Sequence, residues 1–241
     1  MPLNRICRRM FFTSLFAAGV SVLHMLNPVR ALFASSRRKE NGIMLSKPDG
    51  EGKMSVEEAI ERRRTVRSFG SKRIGSSDFS QLLHAAQGIT EEGGFKRAAP
   101  SAGALYPLDV YAVLGGEGVE GLGPGVYHYV PSGNRIEVVT RGDKRSQLAK
   151  AALRQMWVAD PPVSFVITAE YARIESKYGE RGQRYAMIEA GHVGQNIFLQ
   201  AEALGLKAGI VGAFVDGQVA RILGVPENYI PLLIMPVGYQ A

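Results

Sequence analysis

Gln183-Arg184-Tyr185-Ala186-Met187-Ile188-Glu189-Ala190-Gly191-His192-Val193-Gly194-Gln195-Asn196-Ile197-Phe198-Leu199-Gln200-Ala201-Glu202-Ala203-Leu204 is the longest helical pattern in the chain. It is dense in Ala, Met, Ile, Leu and Gln, and Gly205 ends it. Gly191 and Gly194 lie in its interior, where glycine costs about 1 kcal/mol relative to alanine and therefore marks close packing. After it, residues 207–211 and 232–237 read as strands around a short helix at 217–223. Before it, Val163-Ser164-Phe165-Val166-Ile167-Thr168 reads as a buried strand, and Pro161-Pro162 stops the chain after a helix over 144–156. Residues 126–130 and 135–139 alternate around Pro131-Ser132-Gly133-Asn134, the pattern of a β-hairpin, and 110–114 is a further strand. Ser55 caps a helix through about Arg64, with Val56, Ala59 and Ile60 as its apolar face and Glu58 as the capping-box partner. A second helix begins at Ser76-Ser77, turns Phe79, Leu82, Leu83 and Ala86 inward, and ends at Gly88. This order predicts an α+β fold, a mixed sheet packed against helices, without internal repeats.

The 241 residues are 46% hydrophobic, enough for one sizeable core. The formal charge of +7 invites a nucleic-acid reading, but residues 1–34 hold Arg5, Arg8, Arg9 and Arg30 and no acid, and without them the excess is +3. No basic stripe interleaved with aromatics remains, so nucleic acid is not an expected partner. Arg8-Arg9-Met10-Phe11-Phe12 opens an apolar run to Leu26, followed by Pro28 and small residues. That is the form of a twin-arginine export signal over residues 1–34, with a polar linker at 35–54 and the folded domain at 55–241. The run is short for a span of about 20 apolar residues, so no stable membrane span is expected in the mature form and the location is periplasmic. An uncleaved N-terminal anchor is the alternative. The only cysteine, Cys7, lies in this leader, leaving the mature chain without a disulfide or thiolate metal site.

Several stretches could carry chemistry. Arg62-Arg63-Arg64-Thr65-Val66-Arg67 sits where a helix ends; arginines grip phosphate bidentately and threonine adds a hydroxyl, although a solvated basic helix end has the same composition. Arg97-Ala98-Ala99-Pro100-Ser101-Ala102-Gly103-Ala104-Leu105-Tyr106-Pro107 combines small residues, which let backbone approach a flat ring, with two stiffening prolines. Glu189 through Asn196 carries His192, which reads as a hydrogen-bonded structural histidine rather than a base. His84 and His128 are isolated, so no metal site or Ser–His–Asp arrangement is expected. Gly209-Ile210-Val211-Gly212-Ala213-Phe214 could set backbone amides against a ring, or could simply be tightly packed. There is no dinucleotide fingerprint and no phosphate loop.

Taken together and in this order, the stretches resemble the nitroreductase superfamily of FMN proteins, from about Ser55 to Gly238. Arg63-Arg64-Thr65-Val66-Arg67 is similar to the family's N-terminal arginine motif. Pro100 through Pro107, Tyr185 through Asn196 and Leu232 to Gly238 resemble the branch that includes azoline oxidases of ribosomal-peptide biosynthesis. The resemblance implies a homodimer with two FMN sites at the interface and the long helix in the dimer core. Arg63, Thr65 and Arg67 would hold the phosphate, ribityl and pyrimidine edge. Pro100, Ser101, Ala102 and Gly103 would come from the other subunit, and Val211 and Gly212 would line the ring.

Ala104 and Tyr106 depart from simple nitroreductases, which carry asparagine and glutamine there. Lys177-Tyr178 resembles a pair in azoline oxidases and is the candidate catalytic, proton-transferring pair, unless it is merely exposed beside Glu180 and Arg181. The family's basic C-terminal phosphate ligands have no counterpart before Ala241, and Arg97 or Arg184 is expected to stand in. The function implied is hydride transfer between FMN and a small organic substrate or redox acceptor. A non-catalytic flavin carrier and a peptide-modifying azoline dehydrogenase are the alternatives.

Overall fold

The computed structural model describes residues 42–241; the segment expected to be an export signal, with Arg8, Arg9 and Cys7, lies outside the described residues. The chain lays down β1 (Ile43–Met44), α1 (Val56–Arg62), α2 (Ser76–Gln87), β2 (Leu108–Leu114), β3 (Gly125–Val130), β4 (Arg135–Arg141) and α3 (Arg145–Ala151). It continues through β5 (Val163–Glu170), α4 (Tyr171–Tyr178), α5 (Arg181–Ala203), β6 (Lys207–Ala208), α6 (Asp216–Leu223) and β7 (Tyr229–Gly238). The strands form one sheet in the order β1-β4-β3-β2-β5-β7-β6. The α+β class is as expected, but the strand pairs are all antiparallel rather than mixed. Parallel contacts among the described residues are the isolated bridges Thr65–Ala208 and Ile74–Val119.

Helices cover both faces of the sheet. Val110, Ala112 and Leu114 of β2 point into a core shared with Phe79 and Leu82 of α2 and Val193 and Ile197 of α5. Tyr111 and Val113, on the opposite face by strand alternation, join Leu148 of α3 and Val219 of α6. β5 is flanked by β2 and β7 and buried on both sides from Val163 to Ala169, which explains why it shows no alternation of buried and exposed residues. Phe165 is fully buried against Phe79, and burial of such a side chain contributes about 1.5–3 kcal/mol.

The differences from expectation have local causes. Residues 42–49 are not a free linker: Ile43 and Met44 pair with β4, and the Asn134 side chain, from a left-handed turn residue, donates to the Ser46 carbonyl. α3 ends at Ala151 instead of near Met156, because Leu153 and Arg154 take left-handed backbone (φ 53° and 59°). Gln155 ties that turn to the Ala152 and Ala213 carbonyls, turning Trp157 toward Gly209. β6 stops at Ala208, and its line resumes only as a bridge from Val211 to Ile234. In α5, Gly194 packs on β7, but Gly191 faces open space.

α1 departs most. Of its expected apolar face, Ala59 is buried while Val56 and Ile60 are 63% and 55% exposed. Ser55 caps the helix by accepting from the Glu58 N–H at 3.1 Å, but the Glu58 carboxylate pairs with Arg62 and the reciprocal half of the box is not made. Ser55→Ala is expected to cost about 1 kcal/mol in urea unfolding, and Ser55→Asp to restore it; equal stability of all three would remove the cap from the account.

Candidate active site

α1 ends at Arg63, whose N–H still bonds the Ala59 carbonyl. The chain then extends, Val66 N–H donates to the Ala208 carbonyl at 3.0 Å, and Thr65 bridges Ala208. This joint carries the arginine stretch to the strand that leads into Val211 and Gly212. The four arginines separate by what they touch. Arg62 pairs with Glu58, and Arg64 donates to the Glu61 and Arg63 carbonyls. Arg63 lies over the Phe198 ring at 5.1 Å and Arg67 over Trp157 at 5.7 Å. Neither forms an ion pair among the described residues. Arg63 and Arg67, with the half-buried Thr65, are thus the donors left free for an anion.

Gly209 makes the close approach possible. A Cβ there would stand 2.7 Å from the Trp157 ring and 2.8 Å from the Val66 carbonyl oxygen. Gly212, by contrast, is exposed with open space beside it, so its backbone is accessible to a flat ligand. Trp157 was not a candidate from the sequence. Its role depends on the break in α3, for which residues 144–156 give no warning.

The second group forms elsewhere on α5. Ser101 precedes a short 3-10 turn at Ala102–Ala104, and its Oγ accepts from the Tyr106 N–H at 3.0 Å. Gly103, Ala104 and Tyr106 all have positive φ, at 63°, 54° and 47°, and such non-glycine backbone costs about 1–3 kcal/mol per residue. Gly103 presses on the candidate pair: a Cβ there would be 2.8 Å from the Tyr178 hydroxyl and 3.1 Å from Lys177 Nζ. Lys177 and Tyr178 end α4, a helix the sequence reading left unassigned, and Tyr178 meets Tyr185 of α5 edge-on at 5.2 Å. Pro100 and Gly103 are exposed, while Ser101 and Ala102 are half-buried.

The two groups do not converge within one chain. Arg63 rests on Phe198 and the Lys177–Tyr178 pair on Tyr185. Thirteen residues of α-helix separate these anchors, a distance of about 20 Å at 1.5 Å per residue. A recess of about 630 Å³ between residues 49–56, α2 and α5 contains none of the candidate cofactor-binding or catalytic residues.

Behind the Pro100–Pro107 loop sits a polar cluster missed in the sequence. Glu189 is 1% exposed on the core side of α5 and accepts from Gln87 Nε2 at 3.2 Å. Gln87 Oε1 accepts from Arg97 at 3.3 Å, and the Arg97 guanidinium lies 4.2 Å from the Tyr106 ring centre. Arg97 is therefore turned inward and is not free to replace a phosphate ligand, as the sequence suggested. Burial raises the Glu189 carboxyl above its ordinary value, while hydrogen bonds from Ser101 and Gln87 and the Arg97 charge pull it back only in part. The available signal was its position: Glu189 falls on the helical face of Ala186, Ala190 and Val193. His128, read as isolated, bonds Asp109 at 2.9 Å, and Asp109 pairs with Arg173 at 2.8 Å. His192 is exposed and without a hydrogen bond among the described residues, not the hydrogen-bonded structural histidine expected.

The nitroreductase family model matches residues 60–239. The chain belongs to the nitroreductase family. A Methanocaldococcus jannaschii protein named as a nitroreductase, MJ1384, is 42% identical over 191 residues, covering 79% of this chain and 93% of its own. The microcin B17-processing protein McbC of Escherichia coli is 29% identical over 164 residues, covering 66% of this chain and 60% of McbC. A crystal structure described as a nitroreductase from Ralstonia eutropha JMP134 superposes with a TM-score of 0.73 at 27% identity, covering 84% of this chain and 90% of that one. This nitroreductase-family chain has no described helix long and apolar enough to cross a membrane.

The raised Glu189 carboxyl has a sign that can be checked. From the ordinary 4.5 upward to its raised folded value, the folded state keeps a proton that the unfolded chain has released. Stability therefore falls as pH rises through that window. Glu189→Gln removes this contribution, so its melting temperature relative to wild type is expected to rise as pH is raised above the ordinary 4.5. A difference independent of pH would contradict the assignment.

Proposed function

We propose that this member of the nitroreductase family is an exported FMN-dependent oxidoreductase whose active site is completed by a second copy of the chain. The observation that carries this reading is the splitting of the site. Arg63, Thr65, Arg67, Val211 and Gly212 gather near one part of α5, and Pro100–Gly103 with Lys177 and Tyr178 gather near its start. A twofold pairing of antiparallel α5 helices would bring each group to the partner's complement. α5 offers a face for such pairing, since Met187 and Ile188 are 56% and 49% exposed and Gly191 is open. The exposed Val56 and Ile60 of α1 extend the apolar surface that a partner would cover.

The residues fit the cofactor by their chemistry. Arg63, Arg67 and Thr65 are cationic and hydroxyl donors without carboxylate partners, and Gly212 leaves backbone open to a flat ring. FMN, when bound, supplies the two-electron chemistry. Arg67 would favour negative charge at the ring edge. Lys177 Nζ and the Tyr178 hydroxyl, side by side at Gly103, would hold or deliver the proton that accompanies hydride transfer to or from a small organic substrate. Export through a twin-arginine signal would place this chemistry away from the cytoplasmic NAD(P)H pool, leaving a quinone, a redox protein or the substrate itself as electron partner.

A second reading, oxidation of azoline rings in peptides, is favoured by the Lys177–Tyr178 pair at Gly103 and by the similarity to McbC. An azoline-peptide oxidation assay with Lys177→Ala separates the two readings. Lost turnover with retained FMN supports the second reading, and no turnover by the wild type excludes it.

Binding is testable without turnover, because Trp157 is the only tryptophan and stands beside Arg67. Addition of FMN is expected to quench its fluorescence, and Arg67→Ala to weaken FMN binding about tenfold or more, as for loss of a charged hydrogen bond. A colourless protein whose tryptophan emission is unmoved by FMN would end the cofactor reading. Fractionation of cells making the full chain tests export, which is expected to leave the protein in the periplasm.

A further inference from the structure

We propose that Phe95 is a substrate-selecting residue of this site, an aromatic platform for planar acceptors, held in position by a chain of contacts that ends on the buried carboxylate of Glu189. The proposal rests on the oxidoreductase reading above. Phe95 is 75% exposed. A single exposed aromatic ring needs no explanation by itself, but the mounting of this one does. Residues 89–97 double back on themselves, with Ile89 bridging Arg97, Thr90 N–H donating to the Lys96 carbonyl, and Lys96 paired with Glu91 at 3.0 Å. The Phe95 carbonyl accepts from the Tyr106 hydroxyl at 2.6 Å. The Tyr106 ring is plated by Arg97, Arg97 donates to Gln87, and Gln87 donates to Glu189.

The contacts run from a carboxylate in the core to the backbone of an exposed aromatic residue. The anchor is costly. Glu189 is 1% exposed, and Tyr106 holds positive φ. A loop of no consequence does not require a buried carboxyl group to fix it. The same loop reaches the candidate chemistry on its other side. Gly103 abuts Lys177 and Tyr178, and the Tyr106 carbonyl accepts from Arg173, one turn before Lys177 on α4. The loop thus connects the proton-transferring pair to an unencumbered aromatic face. Such a face discriminates by planarity, since ring stacking rewards π-systems beyond their buried area.

Isothermal titration of the purified full-length protein with 2-naphthol and with decahydro-2-naphthol tests this, since the two share a skeleton and differ in planarity. The wild type is expected to bind 2-naphthol about three- to tenfold more tightly. Phe95→Leu, which keeps bulk and removes the ring, is expected to abolish the preference. Arg97→Gln, a change at a half-buried position, is expected to reduce it by loosening the mount. Kinetics give the second readout. In single-turnover reoxidation of the photoreduced protein, Phe95→Leu should raise the concentration of menadione, which takes two electrons and two protons, that gives half the limiting rate, without changing the limiting rate itself. The rate with ferricyanide, which takes one electron and no proton, should not change. No planar preference in the wild type, or one untouched by Phe95→Leu, overturns the proposal. The visible spectrum separates it from the reading beneath it. A yellow protein without the preference overturns the role of Phe95 alone, and a colourless protein with the Phe95-dependent preference overturns the flavin reading alone.

Discussion

The length of α5 constrains everything else in this molecule. Its 23 residues span about 34 Å at 1.5 Å per residue, with one face set into the core that it shares with α2 and the sheet. The arginine stretch is fastened in its last third through Phe198, and the Lys177–Tyr178 pair is fastened near its start through Tyr185. A rigid helix between them keeps the two groups apart in a single chain. Neither group by itself gathers all the candidate residues.

Rigidity at each half is obtained by local sacrifice. Leu153 and Arg154 break α3 in left-handed backbone, and the break lets Trp157 reach Arg67 and Gly209. Ala104 and Tyr106 do the same in the second loop, where the Ser101 hydroxyl and the Arg97 guanidinium hold the turn. Left-handed non-glycine residues persist only where surroundings over-determine them, and here both clusters border candidate residues. Glu189 belongs to the same pattern: a carboxylate whose burial is tolerated because it fixes Gln87, Arg97 and the loop above them.

Much of the fold was legible because it rests on periodicity. Phe79, Leu82, Leu83 and Ala86 are buried as their helical spacing requires, and the run at 163–168 is a strand closed on both faces. The hairpin around residues 131–134 is where alternation placed it. Periodicity failed where tertiary contacts override it, at the early end of α3 and the short β6. It also failed at α1, where Val56 and Ile60 of the expected apolar face have nothing among the described residues to cover them. The arginine motif and the glycine-rich loop were legible as motifs, since each is contiguous. Trp157, the Gln87–Arg97–Tyr106 contacts and the Asp109–His128 pair were not, because their members lie far apart in sequence and meet only in the fold. Glu189 alone left a trace, a charge on the buried stripe of a helix.

The claim that two copies share the site can be tested by complementation. One chain carries Arg63→Ala and Arg67→Ala, the other Gly103→Trp, and each alone is expected to lose FMN binding. If the halves meet across a twofold axis, subunit exchange at equal amounts makes half the dimers mixed, and one of the two sites in each is intact. FMN binding is then expected to return to about one quarter of the wild-type sites. If each site were built within one chain, every site in the mixture would carry a defect, and the absence of any recovered binding after confirmed exchange would contradict the account.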